Sequence, residues 1–232
     1  MTLSRAVLPA CAGAMTLAAW FWLAGGSFTM LPMHQHHQMG WRAFASLVWM
    51  WQVMMIAMMT PSAAEWLVAY SSLTGHGLRS AAAFGAGYFT VWLGYSIAAA
   101  GVQMGVSHAG LLSNGRLPAQ AGGAVLIATG LLYFTPFQRA CLTHCRNPLT
   151  YLLTRWKNRR PGGFEIGLRH GAYCVGCCWL LMLTGLAMGV MNVLWMAALT
   201  LLICAEKLAP HGERIGAAAA AGMTIWGLVL LL

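Results

Sequence analysis

The sequence predicts an all-α fold: a polytopic transmembrane helical bundle of about seven spans, six or seven in all, forming a single integral membrane domain over residues 1–232. Three observations predict it. Charged residues make up 7% of the chain, against roughly 25% in a soluble domain, so there is too little charge to solvate a surface. Apolar runs of about 20 residues recur along the chain, each able to cross roughly 30 Å of hydrocarbon. Basic residues collect in alternate connections between these runs, as topology signals do. An outer-membrane barrel would instead need short strands of alternating polarity.

The spans are expected near residues 6–25, 43–63, 80–104, 119–137, 169–188, 192–208 and 214–232. The first follows Arg5; its apolar run is long and no small-residue cleavage site follows it, so it reads as a retained helix rather than a signal peptide. The second ends at Thr60-Pro61-Ser62, read as a helix break. In the third, Gly87, Gly94, Gly101 and Gly105 recur near heptad spacing and predict a face that a neighbouring backbone can approach. The stretch from Ala172 to Pro210 is too long for one tilted helix, so it divides at Gly189-Val190-Met191-Asn192 into the fifth and sixth spans.

Arg5, Arg79, Arg139, Arg146, Arg155, Lys157, Arg159, Arg160, Arg169, Lys207 and Arg214 fall on one side of this arrangement, and only Arg42 and Arg116 on the other. The positive-inside rule then predicts a bacterial inner-membrane protein with a cytoplasmic N-terminus and, for seven spans, a periplasmic C-terminus. The formal charge of +9 forms no array that could track a nucleic-acid groove, so the expected partner is the lipid bilayer and no nucleic acid is expected. The chain has no Walker A loop, dinucleotide fingerprint or Ser/His/Asp arrangement, and an enzymatic role is not favoured.

The residues that carry chemistry are soft metal ligands. Cys174, Cys177 and Cys178 are spaced by three and four, which places their sulfurs on one helical face, with Met182 a turn further on. Clustered thiolates and thioethers select Cu(I) over hard cations. The plainer alternative is that each cysteine is a small hydrophobe that packs well. Cys141, His144 and Cys145 repeat the spacing after the fourth span, on the same predicted side. Zinc is the second metal that this Cys and His set fits.

On the opposite side, the loop Met33-His34-Gln35-His36-His37-Gln38-Met39 sets three imidazoles between two thioethers, with no acidic residue to favour hard ions. A solvated polar loop is its alternative reading. Met50, Met54 and Met58 then form a thioether ladder along the second span, beside Met55 and Met59; methionine is equally an ordinary core residue. Glu65 and the pair Glu206-Lys207 are read as interfacial charges reaching water, with a proton-coupling role as the alternative.

The segments Ala57-Met58-Met59-Thr60-Pro61-Ser62, Cys174-Val175-Gly176-Cys177-Cys178-Trp179-Leu180-Leu181-Met182 and Gly189-Val190-Met191-Asn192 resemble an uncharacterised bacterial family of predicted metal-binding integral membrane proteins. The resemblance covers roughly residues 40–210, is most specific in the C-V-G-C-C-W stretch, and also takes in Glu206-Lys207. It implies metal binding and extends to neither the His-rich loop nor the C-x-x-H-C segment.

Residues and resemblance together predict Cu(I) handling in the inner membrane, by uptake, transfer or insertion. Copper would arrive at the His-Met loop and reach the cysteines in order of increasing ligand softness. A metal donor or acceptor protein is the expected partner. Two other functions fit the same residues: a membrane thiol redox protein, in which Cys174 and Cys177 exchange with a disulfide, and a structural or assembly subunit of a metal-containing membrane complex.

Overall fold

The computed structural model describes residues 2–25, 40–74, 77–112, 116–148, 150–153, 162–189 and 192–232. The principal helices among them are, in order, α1 (Thr2–Ala24), α2 (Trp41–Thr74), α3 (Gly77–His108), α4 (Ala119–Tyr133), α5 (Pro136–Arg146), α6 (Gly163–Met188), α7 (Val193–Leu208) and α8 (Gly212–Leu231), and residues 148 and 150–153 are helical as well. Four of them, α2, α3, α6 and α8, are long and apolar enough to cross a membrane; counting α4 and α5 as one bent span makes five. Seven spans are therefore not confirmed among the described residues, where α4 has 15 residues, α7 has 16 and α1 counts only as the shorter apolar helix Leu8–Ala24, against the roughly 20 that a bilayer takes. The outer surface suits lipid: Phe21, Trp41, Leu194 and Leu201 are 83%, 78%, 81% and 71% exposed.

The second helix does not break at Thr60-Pro61-Ser62; it runs on through Pro61 to Thr74. Proline withholds the N–H that would bond the carbonyl four residues back, here that of Ala57. The Trp20 indole N–H of α1 donates to that carbonyl at 3.2 Å. Thr60 donates its hydroxyl to Ile56 O at 2.6 Å and Ser62 to Met59 O at 3.1 Å. With the freed acceptor satisfied by a neighbour, the kink that ends a helix in water is tolerated.

Further buried polar bonds tie the bundle. Trp51 Nε1 donates to Gln103 Oε1 at 2.7 Å and the Ser96 hydroxyl to Gln52 Oε1 at 3.0 Å, joining α2 to α3 in antiparallel register. Tyr95 donates to Trp179 O at 2.7 Å, joining α3 to α6. The break expected after Met188 is present: α6 ends at Gly189, whose φ of 99° needs a residue without a Cβ. Asn192 then caps α7 by accepting from Trp195 N at 3.1 Å.

The glycine seam lies elsewhere than the heptad pattern suggested. Of the four α3 glycines in that pattern only Gly87 is closely approached, by the backbone of Phe164 and Leu168, while Gly94, Gly101 and Gly105 face open space. The close approach is made by α6 instead, where a Cβ on Gly163, Gly167 or Gly171 would strike Ser80, Phe84 or Tyr88 in turn. That register, rising together along both chains, makes α3 and α6 parallel neighbours at backbone contact. A second seam joins α4 to α8 in the opposite sense, with Gly123 against the Gly227 carbonyl and Gly130 against Ala220 and Thr224.

Candidate metal centre

Four elements build the site around the middle of α6. Helix spacing sets Cys174, Cys177 and Cys178 on the inward face, 0%, 5% and 1% exposed. A 70° bend between α4 and α5 then turns the chain across that face. The bend follows from local chemistry: Thr135 accepts from Gln138 N at 3.4 Å as an N-cap and Pro136 opens α5, where its missing N–H costs nothing.

Helix α5 is strongly amphipathic and lays its apolar stripe on α6. Gln138 Nε2 donates to Cys177 O at 2.5 Å. The space left by Gly176 receives Cys141 Sγ, which would stand 2.9 Å from any Cβ there. The Trp66 indole of α2 donates to Cys145 O at 2.8 Å, and Arg146 bonds Glu206 O at 3.0 Å and Ala209 O at 2.9 Å at the end of α7. These bonds satisfy carbonyls that helix ends leave without partners, and they fix Cys145 over the α6 cysteines.

The result is a group of three buried sulfurs: the ligand atoms of Cys145, Cys174 and Cys177 all lie within 4.8 Å of one another. Cys145 Sγ is 3.9 Å from Cys177 Sγ, which is 3.4 Å from Cys178 Sγ. Two polar side chains meet Cys174. Lys207 Nζ of α7 donates to its sulfur at 3.0 Å, and the Tyr88 hydroxyl of α3 lies 3.1 Å from it. A buried ammonium needs an anionic partner, and the only sulfur it bonds among the described residues is that of Cys174. The pairing gives Cys174 thiolate character, the form in which cysteine ligates metal.

The sequence-derived candidates are placed as follows. Cys145, Cys174, Cys177 and Cys178 come together. Cys141 sits at the α5–α6 contact, and His144 is not grouped with the sulfurs: its ring stacks on Tyr173 at 3.7 Å and Trp66 at 5.4 Å. Met182 is buried at 2% exposure on the continuing face of α6, and Met50, Met54 and Met58 are buried in the core along α2. Met33, His34, His36, His37 and Met39 lie outside the described residues.

Two residues around the site, His170 and Tyr88, were not read from the sequence, and two others, Glu206 and Lys207, were read as interfacial charges. Lys207 and Glu206 are buried, 6% and 3% exposed, and do not reach water as interfacial charges; Lys207 turns inward because the thiol cluster offers it a partner. His170, a turn before Cys174, is 2% exposed and stacks on Trp66 at 4.1 Å and Tyr88 at 5.4 Å. Its four-residue spacing to Cys174 was the one available signal. Tyr88 carried none, since its contact arises from the parallel α3–α6 pairing.

This donor set fits a soft metal ion such as copper: sulfur ligands, with no carboxylate among the grouped atoms. Residues 48–230 match the family model of PpoB2, described as a copper chaperone. No curated protein and no solved structure matches the chain. With most of its length, the cysteine cluster and Lys207 inside the matched region, the chain belongs to the PpoB2 copper chaperone family.

Proposed function

We propose that this protein is a membrane-embedded carrier of Cu(I), which it holds between Cys145, Cys174 and Cys177 and passes to an acceptor. One observation carries the reading: three sulfurs from two separate helices converge within 4.8 Å, with the Lys207 ammonium 3.0 Å from the Cys174 sulfur. Cu(I) bound by three thiolates has a net charge of −2, and an adjacent ammonium offsets half of it where no water can. Structural zinc is usually four-coordinate, so a three-sulfur group favours Cu(I) over zinc. Cys178 and Met182 continue the same face and serve as exchange ligands when copper arrives or leaves.

The protein sits in the inner membrane with the cysteine end toward the cytoplasm. This is supported by Arg139, Arg146 and Arg169, which belong to the helices of that end. The Met33–Met39 loop receives copper on the periplasmic side, and Met50, Met54 and Met58 offer thioethers between the two faces. Thioethers hold Cu(I) weakly and thiolates strongly, so transfer runs inward unless an external acceptor reverses it.

The test is copper content of purified protein loaded under reducing conditions. Wild type should bind copper, and Cys174→Ser or Cys177→Ser should lower it markedly while the protein still inserts and extracts normally. Unchanged copper in both variants would sink the assignment. A thiol redox role is the second reading, favoured by the 3.9 Å between Cys145 and Cys177 sulfurs, which a small shift closes to a bond of about 2.05 Å. Loss of two thiols on mild oxidation, with no copper in the reduced protein, would favour it.

A further inference from the structure

Beside the sulfur cluster lies a cavity of about 40 Å³ bounded by α4, α5, α6, α7 and α8, whose lining includes Cys177, Gln138, Tyr133, Glu206, Ala219 and Phe137. Since a water needs about 10–15 Å³, the space holds only a few. Its wall at the bend between α4 and α5 includes Phe137, which is 62% exposed.

Glu206 is the unexplained member. Its side chain is 3% exposed, and its Oε1 atom has no hydrogen-bond partner. Arg146 does not neutralise it by direct bonding, because its guanidinium bonds the Glu206 backbone carbonyl at 3.0 Å. The Tyr133 hydroxyl donates to Glu213 O at 3.1 Å and stands beside the Glu206 side chain, yet leaves Oε1 without a hydrogen bond. A Cβ on Gly216 would lie 2.5 Å from Glu206 Oε1, so glycine at 216 keeps room for this carboxylate. An unpaired carboxylate oxygen in an apolar bundle is costly, and packing alone gives no reason for it. Adjacent positions on a helix diverge by about 100°, which lets Lys207 face Cys174 while Glu206 faces the cavity.

We propose that this cavity is the cytoplasmic-side passage by which a copper ion exchanges between Cys177 and an acceptor, with the Glu206 carboxylate as its way station. The proposal rests on the copper-carrier reading above. An anionic oxygen draws a cation out of water into a narrow space, yet as a hard donor it binds Cu(I) loosely. A transit site must bind firmly enough to admit an ion and weakly enough to release it. The thiolates beyond are softer, so the ion moves downhill from oxygen to sulfur, and a competing acceptor draws it back by the same path.

The experiment follows Cu(I) transfer from a chromophoric Cu(I) chelator into the full-length protein in detergent under reducing conditions, then its withdrawal by excess chelator. In Glu206→Gln both rates should fall about tenfold with saturating stoichiometry unchanged, since a passage alters barriers and leaves the end state alone. Ala219→Phe fills the same cavity from α8 without touching a charge, and should slow both steps as well. Wild-type rates in either variant that extracts as a monodisperse, helical protein would overturn the passage. So would loss of bound copper at saturation in Glu206→Gln, which would make Glu206 a ligand or a structural group. A wild type that binds no copper removes the carrier reading together with this one, whereas wild type that binds and variants that exchange normally remove the passage alone.

Discussion

Lys207→Met tests the electrostatic core of the site. The substitution keeps the length and apolar stem of the side chain and deletes the ammonium that donates to Cys174 Sγ at 3.0 Å. At that separation two unit charges attract by about 5 kcal/mol for an effective dielectric of about 20. Part of this offsets the lysine's own desolvation at 6% exposure, and hydrogen bonds to charged groups contribute a net of about 1.5–3 kcal/mol. Cu(I) affinity should therefore fall about ten- to a hundredfold. The assay is competition against a chromophoric Cu(I) chelator in detergent under reducing conditions, with the thermal unfolding midpoint recorded alongside. Tyr88→Phe is the internal control, because it removes the neighbouring hydroxyl, 3.1 Å from the same sulfur, without changing charge. It should cost only about 0.5–1.5 kcal/mol. Wild-type affinity in Lys207→Met, or a larger loss in Tyr88→Phe, would refute a thiolate-stabilising lysine.

Three further outcomes are expected. Gly167→Val places a side chain against the backbone of Phe84 and Tyr88, which cannot yield without parting α3 from α6; overpacking of this kind costs about 1–3 kcal/mol and should lower both the unfolding midpoint and copper retention, and an unaltered midpoint would contradict the seam. Trp20→Phe should destabilise by about 0.6 kcal/mol, up to about 1.7; the loss should shrink in a Pro61→Ala background, where the Ala57 carbonyl regains its helical donor, whereas additive losses in the double-mutant cycle would show that Trp20 does not satisfy it. Reporter fusions after residue 38 should report the periplasm and fusions near residue 158 the cytoplasm, while swapped signals would move the His-Met loop inside and end its receiving role.

The sequence by itself determined what depends on local chemistry and short-range periodicity. Scarce charge and long apolar runs imply helices in lipid whatever their partners, and the three-and-four spacing of Cys174, Cys177 and Cys178 brings their sulfurs to one face before any tertiary contact forms. The break at Gly189–Asn192 was legible for the same reason, since a positive-φ glycine and a capping asparagine act within one turn. What only the tertiary structure decided are meetings between residues distant along the chain. Cys145 joins the cluster because α5 folds back over α6; His144, one residue away, turns into an aromatic stack instead. Pro61 looked like a helix end because its missing donor is local, while the indole that compensates for it comes from α1. Lys207 read as an interfacial charge because hydropathy places a lysine at a helix end near water. Its ammonium turns inward because a sulfur from another helix stands 3.0 Å away, and no spacing along α7 encodes a partner supplied by α6.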